Sequence, residues 1–71
     1  MVKEVDSMIS GQWLTRARKQ RGLSQKSLAI ALGVSPITVN RWERGTRTPS
    51  LLMIEKIALQ LRMTIAELLG A

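Results

Sequence analysis

The 71-residue sequence predicts an all-α fold of five short helices in one domain, and three observations carry that prediction. Apolar residues recur at helical spacing in one segment after another. They are mainly Leu, Ile, Ala and Met, good or neutral helix formers, with Trp13 and Trp42 the two aromatic residues. Start and stop signals bracket the segments: Ser24, Ser35 and Thr64 are side chains that cap helix starts, and Gly22, Gly33 and Gly45 are residues that end them. A chain of this length buries roughly 60% of its unfolded surface, so the core must be assembled economically and no second domain fits.

Residues 1–9 sustain no period and are expected to form a flexible N-terminal arm ahead of a domain spanning 10–71. From Ser10 a first helix sets Trp13, Leu14 and Ala17 on one face and stops at Gly22. Arg18, Lys19 and Arg21 fall in its last turns, where cations suit the negative end of the helix dipole. A second helix, Gln25 to Leu32, starts from Ser24, turns Leu28, Ala29 and Leu32 inward, and exits through Gly33. A third begins at once, with Ser35 as cap and Pro36 at the first helical position, where its fixed φ and missing N–H do no harm. Two helices this close pack only across a small crossing point and a permissive turn. Ala29 and Gly33 supply these, and Val39 turns down onto the preceding helix, so the spacing reads as a helix-turn-helix.

Advancing about 100° per residue along the third helix gathers Pro36, Ile37, Asn40, Arg41 and Arg44 into one arc and leaves Val39 and Trp42 on the other side. The buried side anchors; the arc faces out. After Gly45, the loop TRTPS offers Thr46, Arg47 and Thr48 with backbone N–H groups expected to be open to phosphate. Pro49 and Ser50 then start a fourth helix with an apolar face of Leu51, Ile54, Ile57, Ala58 and Leu61. Thr64 with Glu67 forms a capping box for a last helix that buries Ile65, Leu68 and Leu69. Leu52 and Leu59 lie outside the main arc: either they fringe the core or they form, with Leu68 of the last helix, a dimer surface.

The net charge of +6 is unevenly placed. Residues 1–15 carry −1, residues 49–71 carry zero, and residues 16–48 hold Arg16, Arg18, Lys19, Arg21, Lys26, Arg41, Arg44 and Arg47 against Glu43 alone. A positive field centred on the helix-turn-helix is what a polyanion-binding surface needs. Cysteine and histidine are both absent. That excludes disulfides, thiolate metal sites, the usual zinc sites and nucleophile–histidine pairs, so no enzyme, cofactor or metal is expected. The longest apolar runs, such as LAIAL at 28–32, are too short for a bilayer, and MVKEVDSMIS has the wrong charge and no apolar core for a signal peptide. The expected location is the cytoplasm, with no membrane partner.

LSQ at 23–25, LA at 28–29, LGVS at 32–35, WERG at 42–45 and PSLLMIEKIA at 49–58 together resemble the repressor-like helix-turn-helix domains typified by phage repressors and Cro proteins, over about residues 11–69. The resemblance implies sequence-specific binding to double-stranded DNA by a transcriptional regulator, a repressor occupying an operator. It maps base contacts onto Pro36, Ile37 and Arg41 and places Gln25 at the groove's rim; Asn40 joins them from the arc. Pro36 departs from the Gln often found there and has no side-chain donor. Arg41 can grip guanine O6 and N7 with two hydrogen bonds, and Ile37 can meet a thymine methyl. Backbone contacts are expected from Ser24, Lys26, Ser35, Arg44, Thr46, Arg47 and Thr48. Family members with an Arg and a Glu matching Arg18 and Glu43 join them in a partly buried ion pair. A single recognition helix also implies a homodimer, formed either in free solution or only on DNA, over half-sites about one helical turn apart. The competing reading is an antitoxin or protein-interaction subunit whose helix-turn-helix also binds DNA, for which Leu52, Leu59 and the last helix would matter most.

Overall fold

The computed structural model describes residues 11–70. Among them are five helices: α1 Gln12–Gln20, α2 Gln25–Leu32, α3 Pro36–Arg44, α4 Leu51–Leu61 and α5 Ile65–Leu69. The expected arm at 1–9, and Ser10 as a helix start, fall outside the described residues. Local chemistry explains most boundaries. Ser24, Ser35, Ser50 and Thr64 each accept a hydrogen bond from the backbone N–H three residues on, satisfying a donor the first helical turn would leave orphaned. The Thr64–Glu67 box is reciprocal, with bonds of 2.8 and 3.0 Å.

Two boundaries follow a different logic. Gly11, at φ 79°, precedes α1 without any side-chain cap and is buried against the end of α3. A Cβ there would collide with the Trp42 carbonyl oxygen and crowd the Glu43 backbone, so α1 can rest on α3 only because this residue has no side chain. At the other end, α4 terminates on Arg62, a non-glycine residue in the left-handed region at φ 56°.

The core joins Trp13, Leu14 and Ala17 of α1 to Leu28, Ala29 and Leu32 of α2, Val39 and Trp42 of α3, Ile54, Ile57, Ala58 and Leu61 of α4, and Leu68 of α5. α2 packs on α3, α1 on α3 and α5, and α4 on α2 and α5. Three expectations need correction. Leu51 is exposed: on the first turn of α4 it lies about 70° from the centre of the buried stripe, as the helical period dictates. Ile65 is also exposed and Leu69 only half-buried, because a helix of five residues aims one position squarely inward. That position is Leu68, which is fully buried and therefore belongs to the core and not to a dimer surface.

Candidate nucleic-acid interface

α3 is held by its inner side and displayed by its outer one. Val39 and Trp42 are buried, while Pro36, Ile37, Arg41 and Arg44 are exposed and Asn40 is half-buried. Ile37 keeps 62% of its surface exposed, a cost in water that a groove lined with methyl groups would reverse. Arg41, Arg44, Arg47 and Lys26 form no ion pair among the described residues, so their charge is available to an outside anion.

Behind this face sits the one acid of the basic segment. Glu43 Oε2 accepts from Arg18 Nε at 2.6 Å, and Oε1 accepts from Arg18 Nη2 at 3.0 Å, Thr15 Oγ1 at 2.9 Å and Gln25 Nε2 at 3.1 Å. Arg18 Nη1 also donates to the Leu23 carbonyl oxygen at 2.8 Å. One carboxylate therefore ties α1, the turn and α2 to the recognition helix. The side chains of Arg18 and Glu43 are only 10% and 6% exposed, so this is a buried, hydrogen-bonded pair. Burial pushes the Glu43 carboxyl up, but the bonds from Arg18, Gln25 and Thr15 outweigh it and hold the group below the usual carboxylate value. Thr15 had no sign in the sequence beyond its position one turn before Arg18 on α1.

Gln25 is thereby more constrained than its place at a helix start implies. Because a carboxylate only accepts, the amide must turn its nitrogen to Glu43, which leaves Oε1 and the second N–H for an outside partner. The capping serines are also engaged. Ser24 Oγ donates to Ser27 Oγ at 2.9 Å, and Ser35 Oγ shares a 3.0 Å bond with Thr38 Oγ1.

The loop after α3 departs from expectation. The N–H groups of Thr46 and Arg47 are not open to phosphate: both donate to the Arg41 carbonyl oxygen, at 3.1 and 3.3 Å, and Thr46 Oγ1 donates there at 3.3 Å. The C-terminal carbonyls of a helix need partners, and the chain turning back over α3 supplies them. Thr46, Arg47 and Thr48 remain exposed, so what the loop still offers an anion is the Arg47 side chain together with Thr48.

The basic segment is likewise less outward than its formal charge. Arg18 is consumed by Glu43. Arg21 Nε donates to the Leu61 carbonyl oxygen at 2.7 Å and Nη2 to that of Arg62 at 3.4 Å, closing the C-terminal end of α4. Arg16 lays its guanidinium against Gly70. Besides these, five cations of the segment remain exposed without an ion-pair partner among the described residues: Lys19 in the last turn of α1, and Lys26, Arg41, Arg44 and Arg47 on α2, α3 and the loop after it. Among the described residues no His, Cys, Asp and Glu cluster could hold a metal ion, and no helix is long and apolar enough to cross a membrane.

Comparison with known proteins places this arrangement in company. The helix-turn-helix family model HTH_3 matches residues 14–68. The restriction-modification controller protein C.AhdI from Aeromonas hydrophila is 39% identical with a TM-score of 0.79, over 90% of this chain and 97% of that one. The clp gene regulator ClgR from C. glutamicum is 27% identical with a TM-score of 0.79, over 87% and 80%. The complex of the SinR and SinI proteins contains a chain 32% identical with a TM-score of 0.74, over 86% and 60%. No curated protein matches.

Proposed function

Because the chain belongs to the HTH_3 helix-turn-helix family and is a DNA-binding domain of transcription regulation, we propose that it reads a double-stranded operator with the outer face of α3 and acts there as a repressor. The observation that carries this reading is the division of α3: Val39 and Trp42 lock one side, while Ile37, Arg41 and Arg44 stand exposed beside a carboxylate that is fully neutralised. An unpaired Glu43 in that place would repel phosphate. Arg41 takes the bidentate guanine contact, Ile37 a thymine methyl, and Asn40 an adenine or a phosphate. Pro36 contributes shape alone.

Gln25 acts at the rim through its carbonyl oxygen and remaining N–H. Lys26, Arg44 and Arg47 neutralise phosphates, with the Ser24, Ser35, Thr46 and Thr48 hydroxyls secondary because three of the four already bond within the chain. One recognition helix covers too few base pairs for useful specificity, so two copies bind a near-palindromic site as a homodimer. Selection of sites from random duplexes at two salt concentrations tests the reading. A selected, symmetric consensus whose affinity falls steeply with salt is expected, and recovery of unselected sequence would overturn it.

A further inference from the structure

The carboxylate behind the recognition helix also decides what one residue at its edge can read. Gln25, the first residue of α2, is half-buried and donates from Nε2 to Glu43 Oε1 at 3.1 Å. The same oxygen accepts from Arg18 Nη2 at 3.0 Å and from Thr15 Oγ1 at 2.9 Å. Burial raises the Glu43 carboxyl, but the bonds from Arg18, Gln25 and Thr15 outweigh it, so the group is ionised and has no proton to give. An amide turned the other way would set Gln25 Oε1 against Glu43 Oε1 with no hydrogen between them. The orientation of Gln25 is thus imposed from behind, by a residue of α3.

Two groups of the amide are left over. Gln25 Oε1 has no hydrogen-bond partner among the described residues, and since no buried side-chain oxygen or nitrogen there lacks one, this oxygen reaches solvent. Repulsion between the two oxygens favours bonding Glu43 through the N–H that points away from Oε1, which leaves the other N–H beside Oε1 on one edge. That edge is an acceptor next to a donor. A phosphate oxygen only accepts, so it would satisfy the N–H and leave Oε1 unpaired. In the major groove guanine shows two acceptors, cytosine a donor and thymine an acceptor, whereas adenine shows its N6 amine beside N7, the complement of this edge.

We propose that Gln25 reads an adenine at the rim of the half-site, accepting from N6 and donating to N7, and that Glu43 is the positioning residue that fixes this polarity without touching DNA. The proposal rests on the operator reading above and adds to it a second base pair, apart from that of Arg41.

Site selection from random duplexes is run with the parent protein and with Gln25→Met, which keeps the apolar stem and removes both outward groups. The parent should prefer adenine at one further position of each half-site by roughly 5- to 150-fold, the range for a bidentate base contact. Gln25→Met should lose that preference and keep the one at the Arg41 position. A consensus unchanged by Gln25→Met overturns the proposal, and so does an equal loss on every sequence, which marks a phosphate contact. Gln25→Lys separates the two again. Lysine donates but cannot accept, so adenine preference should disappear; tighter binding to all sequences with a salt slope steeper by about one would mark phosphate and overturn the proposal.

Glu43 is tested by combining Arg18→Met with Glu43→Gln, which removes both buried charges together and leaves neither uncompensated. A side-chain amide at 43 can offer Gln25 either an oxygen or an N–H, so Gln25 is free to turn over and its adenine preference should fall by about twofold or more. Preference at the Arg41 position should stay, whereas a general loss of structure would erode both. Full adenine preference in this double variant overturns the role of Glu43. In the DNA-free parent, one Gln25 amide proton should exchange with water more slowly than those of the exposed Gln60, and equal rates overturn the fixed orientation even where the double variant does not fold. A parent that selects no consensus overturns the operator reading and the adenine with it; a consensus indifferent to Gln25→Met overturns this inference alone.

Discussion

Two regions of this small domain look alike in the sequence and differ in the fold. Both the C-terminal half of α1 and the stretch from Arg41 to Arg47 are rich in arginine. In α1 and its C-cap the guanidiniums are spent within the domain: Arg18 is buried on Glu43, while the exposed Arg21 reaches the carbonyls ending α4 and the exposed Arg16 lies against Gly70. On α3 and its loop, Arg41, Arg44 and Arg47 are exposed and without acidic partners among the described residues. The difference teaches that a local count of cations measures the field only after internal acids and helix ends have taken their share. The arginines of α1 and its C-cap are engaged within the domain, and those of α3 are left available to the proposed DNA.

The sharpest way to break this contrast is to remove Glu43 or Arg18. Truncating either should destabilise the DNA-free protein by about 3 to 5 kcal/mol, because the partner stays behind as an uncompensated buried charge. In denaturant unfolding, Glu43→Gln and Arg18→Met should show strong coupling in a double-mutant cycle; effects additive within about 0.5 kcal/mol would dissolve the pair. pH gives the same test another form. Since the folded carboxyl sits below its ordinary value of 4.5, its stabilisation is complete above that value and is lost as pH falls through the folded-state pKa. Glu43→Gln should flatten this acid limb, leaving the smaller slope of Glu67, whose carboxyl is also held low by its bond to the Thr64 N–H.

Gly11→Ala should cost roughly 3 kcal/mol, combining a left-handed backbone with a collision against α3. It probes the same α1–α3 seam without touching a charge. On the reading side, Arg41→Ala should lose about 1 to 3 kcal/mol on the best site and flatten preference at one base pair, whereas Arg47→Ala should weaken all sequences alike and reduce the salt slope by about one. Equal losses on specific and random DNA would erase the division of labour between them. The smallest expected effect is the most pointed. Arg21→Ala should lower stability by about 1 kcal/mol through the lost cap on α4, while the salt slope of DNA binding stays unchanged. A slope reduced by one would return Arg21 to the interface.

Much of this was legible in residue order, for reasons that are local. Ser24, Ser35 and Thr64 cap whatever helix follows them, and Gly33 and Gly45 tolerate a left-handed exit in any context. The 3.6-residue period alone sets Val39 and Trp42 opposite Ile37 and Arg41. The family pattern added Arg18 with Glu43, a pairing 25 residues apart that no local rule yields.

What the tertiary structure decided concerns groups whose fate depends on a distant neighbour. Gly11 carries no helix-start signal and is required because the carbonyl of Trp42 arrives beside it. Thr15 and Gln25 look like free polar residues until α3 brings Glu43 to them. The Thr46 and Arg47 amides belong to a loop by sequence and to the end of α3 by geometry, and Leu68 is claimed by the core where Leu52 and Leu59, on the far side of α4, are not. Periodicity fixes which residues share a face, since that follows from backbone geometry within one helix. Which face is covered, and which hydrogen-bonding group is already satisfied, is set by packing between helices.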